Sequence, residues 1–481
     1  MNTAARIESS GQSGRIHVSQ ETADLIVKGG KSSWIVKRDE TVNAKGKGDM
    51  QTYWVKHSVD KDEGSNDDST SSPVDRIDYD TMISERKNRL IDWNVESLLQ
   101  LIRQIVAHRE ARGMLAKSSD HRDETLAIGS HPLDDVKEII SLPEFDTKTA
   151  RRKRTPDQIE IPAEVVSQLR YFVACIASMY RNNSFHNFEH ASHVTMSVLK
   201  LLSRIVAPTE LEIENDGEGN EVAATLHDHT YGITSDPMTQ FACAFSALIH
   251  DVDHTGVPNA QLVKEDTQLA AVYKGRSVAE QNSLVLSWEL LMDSRFSELR
   301  GILFATPSEL EHFRQLIINI VLATDIVDKD LKALRNGRWD KAFKSPETAI
   351  SENITDQVNR KATIVIEHLI QASDVSHTMQ HWHVYRKWNE CFFRECYAAY
   401  KAGRAENDPS LGWYKGEMGF FDFYIIPLAK KLKECGVFGK SSDEYLNYAL
   451  QNRKEWESRG QEVVAEMLEA INRETAEKAH T

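Results

Sequence analysis

The sequence lacks any hydrophobic run long enough to cross a membrane, and it lacks the charged and apolar pattern of a secretory signal peptide. Its strongest apolar run, Leu316 to Thr324, contains Asn319 and falls far short of a membrane span. We therefore expect a cytoplasmic protein without direct membrane insertion.

Cysteine is also scarce. The 481 residues include only 5 cysteines, an odd number, and no two of them share the Cys-x-x-Cys spacing. Most of them lie in apolar segments with a helical pattern, so we expect them to be reduced. This scarcity argues against a secreted fold held together by disulfides.

Positive charge is in deficit. The chain has 58 lysines and arginines against 73 acidic residues, which gives a formal net charge of −15. Nucleic acids select basic surfaces, so this balance argues against a nucleic-acid partner, and it also argues against binding to anionic lipid. A small anionic substrate is still compatible, because a metal ion can supply local positive charge.

Strand patterns are almost missing after residue 85, where apolar residues recur with a helical period. This pattern predicts an all-α domain over residues 85–475. We expect its main helices near 164–181, 190–206, 237–250, 280–293, 309–324, 359–374, 383–402, 417–434 and 443–473. The acidic stretch from Pro208 to about Asp236 is too polar for a core, and we expect a loop there.

The first 84 residues have a different composition. Residues 1–56 mix β-branched residues with glycine and lysine, and the alternation that leads to Val55 predicts a strand. Residues 57–84 are rich in Asp, Ser and Gly, a composition that forms no core, so we expect a flexible linker.

Three largely apolar segments nevertheless carry histidine and aspartate: His186 with His190, His250 with Asp251 and His254, and Asp374. The spacing of His186 and His190 places both on one face of a helix. Each group alone has an ordinary explanation as a surface pair, a helix cap or an ion pair. Together they need a shared explanation, because polar groups in an apolar setting must find partners. Two histidines and two aspartates are a ligand set that zinc or another first-row metal binds.

Short blocks around these residues resemble, in order along the chain, the signature blocks of class I cyclic nucleotide phosphodiesterases. The blocks are His186-Asn187-x-x-His190-Ala191, His250-Asp251-x-x-His254-x-Gly256-x-x-Asn259, Leu322-Ala323-Thr324-Asp325, Ala372-Ser373-Asp374-x-Ser376, Tyr385-Arg386-Lys387-Trp388 and Gly419-Phe420-x-Asp422. The resemblance implies a multi-helix hydrolase of the HD metal type. It also implies that the chain hydrolyses 3′,5′-cyclic nucleotides to nucleoside 5′-monophosphates. Through this reaction it would take part in signal transduction.

The resemblance further implies a role for each matched position. Four residues would hold a zinc ion: His190, His250, Asp251 and Asp374. Asp251 would bridge to a second ion, magnesium or manganese, that keeps most of its water ligands. The two metals would clamp the cyclic phosphate and generate a bridging hydroxide, with a metal-bound water oriented by His254. His186 would protonate the leaving 3′ oxygen as the general acid.

For the nucleotide base, Phe420 matches the stacking aromatic of the family, and Phe392 falls on the opposite wall when counted from Asp374 without a gap. Ordinary helical core is the alternative for Phe392. Glu417 replaces the usual glutamine, and an ionised carboxylate suits the two adjacent donors of guanine better than it suits adenine. We therefore expect cGMP to be favoured and cAMP to be accepted. Protonation of Glu417, or a bond from Lys415, would make it accept either base.

Other departures from the family are Asn282 and Ser283 for paired histidines, His377 for asparagine, Lys329 for histidine and His193 for aspartate. None of them removes an implied ligand or the acid. A nucleotidase of the wider His-Asp superfamily would share the four ligands but lack the Phe420 block. A non-catalytic nucleotide-binding module would lack a ligand or His186.

Segments within residues 1–56 resemble the C-terminal end of a class III nucleotidyl cyclase domain, with Asn2, Arg6 and one of Lys45 and Lys47 at functional positions. The resemblance implies a small α/β remnant without the two metal-binding aspartates of that domain, so we expect no cyclase activity. In such fusions a transmembrane segment commonly precedes the cyclase, and a longer form would then be membrane-anchored. Homodimer formation is left open.

Overall fold

The computed structural model of this chain describes residues 16–28, 35–38, 41–44, 48–55, 79–113, 128, 131–146, 149, 155–205, 220–344 and 353–479. The chain divides into two compact units, Met1–Ile77 and Asp78–Thr481. Four cyclase-like positions, Asn2, Arg6, Lys45 and Lys47, lie outside the described residues, as does the predicted linker up to residue 78.

The first unit contains two small antiparallel sheets, one of three strands and one of two, and a helix. Its strands are β1 (Ile16–Ser19), β2 (Ile35–Lys37), β3 (Val42–Ala44), β4 (Gly48–Met50) and β5 (Thr52–Val55). The central strand β5 lies between β1 and β2, with Ile16 and Ile35 both opposite Val55, while β3 pairs with β4. Helix α1 (Gln20–Lys28) packs against β1, β2 and β5. The strand expected before Val55 and the small α/β character of this segment are confirmed.

The second unit is built from helices, as predicted, and its described residues include no strand. Its α-helices are α2 (Tyr79–Ala111), α3 (Ala163–Met179), α4 (Phe188–Ser203), α5 (Asn220–His229), α6 (Pro237–Ile249), α7 (Asn259–Glu265), α8 (Thr267–Val272), α9 (Val278–Met292), α10 (Ser297–Leu303), α11 (Pro307–Leu322), α12 (Lys329–Trp339), α13 (Ile354–Asp374), α14 (Trp382–Lys401), α15 (Trp413–Phe420), α16 (Ile426–Glu434) and α17 (Gly439–Ala479). A π-helical turn, Phe421–Ile425, joins α15 to α16.

Helix α6 lies at the centre of the core. Every one of its residues except Gln240 is buried, because α2, α4 and α11 pack around it. This explains why its sequence is apolar on all faces rather than on one stripe. Asp236 starts the helix by accepting hydrogen bonds from the N–H groups of Met238 and Thr239, both at 3.2 Å. The helix ends directly before His250, so packing of the helix in the core fixes the position of this histidine.

Two expectations about local structure need correction. The acidic stretch expected to be a loop contains α5, which Gly232 closes by donating its N–H to His227 O at 2.8 Å with a φ of +90°. Polar composition excluded a core position there but did not exclude a surface helix. Helix α2 begins at Tyr79, inside the stretch assigned to the linker. Its buried face, which includes Ile91 and Leu98, stabilises the helix, and extension by a few residues then costs little.

Within the part of the chain that the structure describes, no helix combines the length and the apolar character needed to span a bilayer.

Candidate active site

Three helices bring the predicted ligands together. His190 lies in the first turn of α4, where Asn187 Oδ1 accepts a hydrogen bond from His190 N at 3.0 Å and so fixes the helix start. His250 follows the last turn of α6, and Asp374 is the last residue of α13. His190 and His250 are 2% and 1% exposed, so their ring positions are set by packing.

The ligand atoms of His190, His250 and Asp374 all lie within 4.8 Å of one another. Asp374 Oδ1 is 3.0 Å from His190 Nε2 and 3.4 Å from His250 Nε2. Asp251 joins this group from the other side, with Oδ2 at 3.1 Å from His250 Nε2 and at 3.8 Å from His190 Nε2. We call these four residues the ligand cluster.

The hydrogen bonds of His250 show which of its nitrogens carries a proton. Its Nδ1 donates to Ala247 O at 2.9 Å, so Nε2 has the lone pair when the ring is neutral. Nε2 is buried and makes no hydrogen bond within the described residues, although the Asp251 and Asp374 oxygens are near. A buried lone pair that faces carboxylate oxygens is unfavourable. Burial disfavours a charged ring, but the Asp251 and Asp374 carboxylates outweigh burial and raise the pKa of His250, so the site favours a second proton or a metal ion at Nε2. Two imidazoles and two carboxylates therefore fit a divalent first-row metal.

A second group of three residues lies beside the ligand cluster and consists of His186, His254 and Glu395. We call it the acid cluster. Glu395, on α14, is 6% exposed and accepts hydrogen bonds from Phe185 N at 2.8 Å and His186 N at 3.0 Å through Oε2. Its other oxygen accepts from His186 Nδ1. Glu395 thus holds both the backbone and the ring of His186.

These contacts also determine the charge of His186. Burial alone would lower the pKa of the imidazole, but the hydrogen bond to Glu395 and the negative charge of Asp251 outweigh burial, so the pKa of His186 is raised. With Nδ1 bonded to Glu395, the second proton is on Nε2. His186 is therefore equipped to donate a proton from Nε2 near neutral pH.

His254 has the opposite arrangement. Its Nδ1 accepts from Gly256 N at 3.2 Å, so the proton of the neutral ring is on Nε2, and burial lowers its pKa to about 4. The ring centroid lies 3.9 Å from that of His186. Gly256 has a φ of +75°, and a Cβ there would come within 3.3 Å of Asn183 Oδ1. Neutral His254 therefore presents an N–H, and no lone pair, from Nε2.

The predicted base-contacting residues lie on α14 and α15. Glu417 is 8% exposed and accepts from Tyr385 Oη at 2.6 Å, and Asn389 also bonds to it. Burial raises the pKa of Glu417 to about 7 despite these bonds. No described cation pairs with this carboxylate, so a bond from Lys415 is not what holds it.

The two predicted aromatic walls have different surroundings. The ring of Phe392 lies 5.9 Å from that of His186 and 5.4 Å from that of Trp413, so it borders the acid cluster. Phe420 stacks on Tyr424, with ring centroids 5.4 Å apart and an interplanar angle of 17°. Both phenylalanines are only half-buried, which leaves part of each ring free for a ligand.

Sequence reasoning missed the roles of Glu395, Tyr385 and Asn389. A signal for Glu395 was present, because Tyr385, Trp388, Phe392 and Glu395 follow the 3-4-3 spacing of one helical face. A carboxylate on the apolar face of α14 needs a buried partner.

Among the residues that depart from the family, Asn282 donates a hydrogen bond to Asp253 Oδ2 at 3.2 Å.

Comparison with known proteins shows the family to which the chain belongs. Residues 185–445 match the family model described as 3′5′-cyclic nucleotide phosphodiesterase, and the chain belongs to this family. Residues 1–57 match the model of the adenylate and guanylate cyclase catalytic domain.

Individual relatives are distant. The probable 3′,5′-cyclic-AMP phosphodiesterase pde-4 of Caenorhabditis elegans is 26% identical over 58% of this chain and 38% of that protein. The human dual specificity calcium/calmodulin-dependent 3′,5′-cyclic nucleotide phosphodiesterase 1C is 27% identical over 54% of this chain and 33% of that protein. A solved structure, the phosphodiesterase domain of a RhoPDE fusion protein from the choanoflagellate Salpingoeca rosetta, is 21% identical. It covers 63% of this chain and 85% of its own, with a TM-score of 0.45. The matched region thus covers well under half of both curated relatives.

Proposed function

We propose that this chain hydrolyses 3′,5′-cyclic nucleotides to nucleoside 5′-monophosphates, with residues 85–475 as the catalytic domain. The observation that carries the proposal is the contrast between two neighbouring histidines in a chain of this family. Neutral His250 presents a buried lone pair beside two carboxylates, where a metal ion fits, and His186 presents a proton. A metal-assisted hydrolysis that needs a general acid requires both.

The ligand cluster would hold the metals. His190, His250, Asp251 and Asp374 suit zinc at a first site, and Asp251 would share a second ion, magnesium or manganese. When bound, such ions polarise the phosphate and lower the pKa of a water molecule. The residues of this chain supply the remaining steps.

His186 would act as the general acid. Hydrolysis of the cyclic phosphate breaks the bond from phosphorus to the 3′ oxygen, which then needs a proton. The Nε2 proton of His186 can meet this need, and the Glu395 carboxylate stabilises the imidazolium form until transfer. His254 would keep its Nε2 proton and orient a water molecule or a phosphate oxygen beside His186.

The base would lie near Phe420 and Phe392, with Glu417 as its polar contact. Ionised Glu417 accepts from the N1–H and N2–H of guanine, whereas protonated Glu417 can also donate to adenine N1. Because the pKa of Glu417 is about 7, both forms are populated near neutral pH. We expect cGMP to be favoured when Glu417 is ionised. The names of the relatives include both a cyclic-AMP enzyme and a dual-specificity enzyme, so family membership leaves this choice open.

A parallel assay tests the proposal. The purified chain, with zinc and magnesium supplied, should convert cAMP and cGMP to their 5′-monophosphates, identified by chromatography. Release of inorganic phosphate from 5′-monophosphates would indicate a nucleotidase instead. Binding of cyclic nucleotide without turnover would indicate a binding module.

A further inference from the structure

A separate cavity lies where the C-terminal end of α2 meets the N-terminal ends of α6 and α11. Its volume is about 420 Å³, within the range of pockets that hold small organic molecules. No residue of the ligand cluster or the acid cluster lines it. We call it the α2–α6–α11 cavity.

Both acidic side chains in its wall already have partners. Asp236 accepts from two backbone N–H groups at the start of α6 and from His312 Nε2 at 3.1 Å. Glu309 Oε2 accepts from Arg109 Nη2 at 2.9 Å. Their negative charges therefore do not require a further cation.

The two arginines in the wall are less fully paired. Arg109 is 4% exposed, and although its Nη atoms bond to Ile302 O, Leu303 O and Glu309, its Nε has no acceptor among the described residues. Arg112 is exposed at the mouth, and no described acidic residue pairs with its guanidinium. The wall thus has a surplus of N–H donors, which favours an oxyanion.

The rest of the wall supplies apolar surface. Ile105, Leu142, Pro143 and Met238 line the cavity, together with the hydroxyl-bearing residues Thr306 and Ser308. A bare phosphate or sulfate would leave this apolar surface without a partner. A molecule with one charged end and an apolar body would use both parts of the wall.

We propose that the α2–α6–α11 cavity binds a small organic oxyanion, with a phosphate or carboxylate group at Arg112 and an apolar body against Leu142 and Met238. The site is distinct from the catalytic centre. It lies at the beginning of α6, the 13-residue helix whose far end presents His250, about 20 Å away along the axis.

The test uses the full chain and four probes in calorimetric titrations. 1-Naphthyl phosphate and 1-naphthoate carry both a charge and an apolar body, whereas inorganic phosphate lacks the body and 1-naphthol lacks the charge. We expect the first two to bind, and their ratio assigns the site to a phosphate or a carboxylate. Arg112→Glu should weaken this binding at least about tenfold, since charge-assisted hydrogen bonds are lost. Arg89→Glu, an exposed arginine on α2 outside the cavity, is the matched control and should keep native affinity.

Three outcomes would overturn the proposal. One is equal affinity in Arg112→Glu and Arg89→Glu, which would place the probes elsewhere, including the catalytic centre. Another is binding of inorganic phosphate or 1-naphthol as tight as that of the charged naphthyl compounds. The third is no binding of any probe up to about 1 mM.

Discussion

The ligand cluster and the acid cluster contain the same kinds of residue, yet their hydrogen bonds prepare them for different tasks. In the ligand cluster, a backbone carbonyl accepts a hydrogen bond from Nδ1 of His250, so the neutral ring has its lone pair on Nε2. In the acid cluster, a carboxylate accepts a hydrogen bond from Nδ1 of His186 and favours a second proton on Nε2. We therefore expect His250 to bind a metal ion and His186 to donate a proton.

The comparison also explains why the acid cluster is a poor metal site despite its close spacing. The Nδ1 lone pair of His254 accepts a hydrogen bond from Gly256 N. In the neutral ring, Nε2 therefore carries the proton and has no lone pair for a metal. Proximity of three histidine and carboxylate atoms is therefore insufficient to assign a metal. The hydrogen-bond partner of the ring nitrogen that faces away from the site determines whether the other nitrogen has a lone pair for a metal.

Removal of a ligand should have the largest effect. Asp374→Ala or His250→Ala should lose bound zinc and reduce kcat/KM at least about 10³-fold, because the metal's charge stabilisation is worth several kcal/mol. Metal content by mass spectrometry and turnover on both cyclic nucleotides check this. His193→Asn is the control, because His193 lies on α4 near His190 but packs on Trp388 outside the ligand cluster. Full zinc occupancy in Asp374→Ala would contradict the ligand assignment.

Removal of the proposed general acid should distinguish the function of the acid cluster from that of the ligand cluster. His186→Ala should keep its zinc and lose about 10² to 10⁴ in kcat, the usual contribution of a general acid. Simultaneous measurement of metal content and turnover is needed. If zinc were lost together with activity, His186 would belong functionally to the ligand cluster and the comparison would fail.

A substitution with a smaller expected effect tests Glu395, the hydrogen-bond partner of His186. In Glu395→Gln the amide oxygen can still accept from the N–H groups of Phe185 and His186, but the amide nitrogen would donate to His186 Nδ1 and disfavour the imidazolium. We expect kcat to fall about 10- to 100-fold. The alkaline limb of the pH–rate profile should move to lower pH, because loss of the carboxylate lowers the pKa of His186. An unchanged alkaline limb would show that Glu395 has only a structural role.

The sequence was sufficient for the parts of the site that lie on one helix. The apolar run that ends at His250 predicted which residue would follow α6. The expectation that His186 and His190 share one face of a helix was wrong, because Asn187 caps α4 and His186 lies before the helix begins. Contacts between different helices could not be predicted from the sequence. Glu395 is 209 residues from His186, and only the packed fold shows that their side chains meet.

The same limit applies to charge and to cavities. The residue type of Glu417 was visible, but its raised pKa depends on burial among α14 and α15, which composition does not report. The α2–α6–α11 cavity is formed by segments far apart in the chain, none of which has an unusual sequence. Helix α5 was missed because a surface helix needs no apolar periodicity strong enough to stand out in an acidic stretch.

Base selection should be separable from both clusters, and Glu417 provides the test. Its pKa of about 7 means that the carboxylate is mostly protonated below this pH and mostly ionised above it. The ratio of kcat/KM for cGMP to that for cAMP should therefore rise about tenfold between about pH 6 and about pH 8. Glu417→Gln should flatten this dependence and lower the ratio. A native ratio that does not vary with pH would show that Glu417 does not select the base.

Stability provides an independent measurement for the same residue. The folded pKa of Glu417 is raised from 4.5 to about 7, so the folded state disfavours ionisation, and its stability falls as the pH rises across this interval. Glu417→Gln removes this penalty. Its free energy of unfolding should therefore exceed that of the native chain by at most about 3 kcal/mol above about pH 7, with no such gain below about pH 4.5. Denaturant titrations at both pH values check this.

The smallest effect should come from removing the first compact unit. All residues of the ligand cluster and the acid cluster belong to the second unit, Asp78–Thr481, so deletion of residues 1–77 should leave kcat and KM for hydrolysis within about twofold of native. Zinc content should also be unchanged by the deletion, which separates a folding defect from a catalytic one. A loss of turnover with full zinc would show that the first unit contributes to the acid cluster or to substrate binding. A loss of zinc would show that the ligand cluster depends on the first unit, and either result would mean that the two clusters are not complete within the second unit.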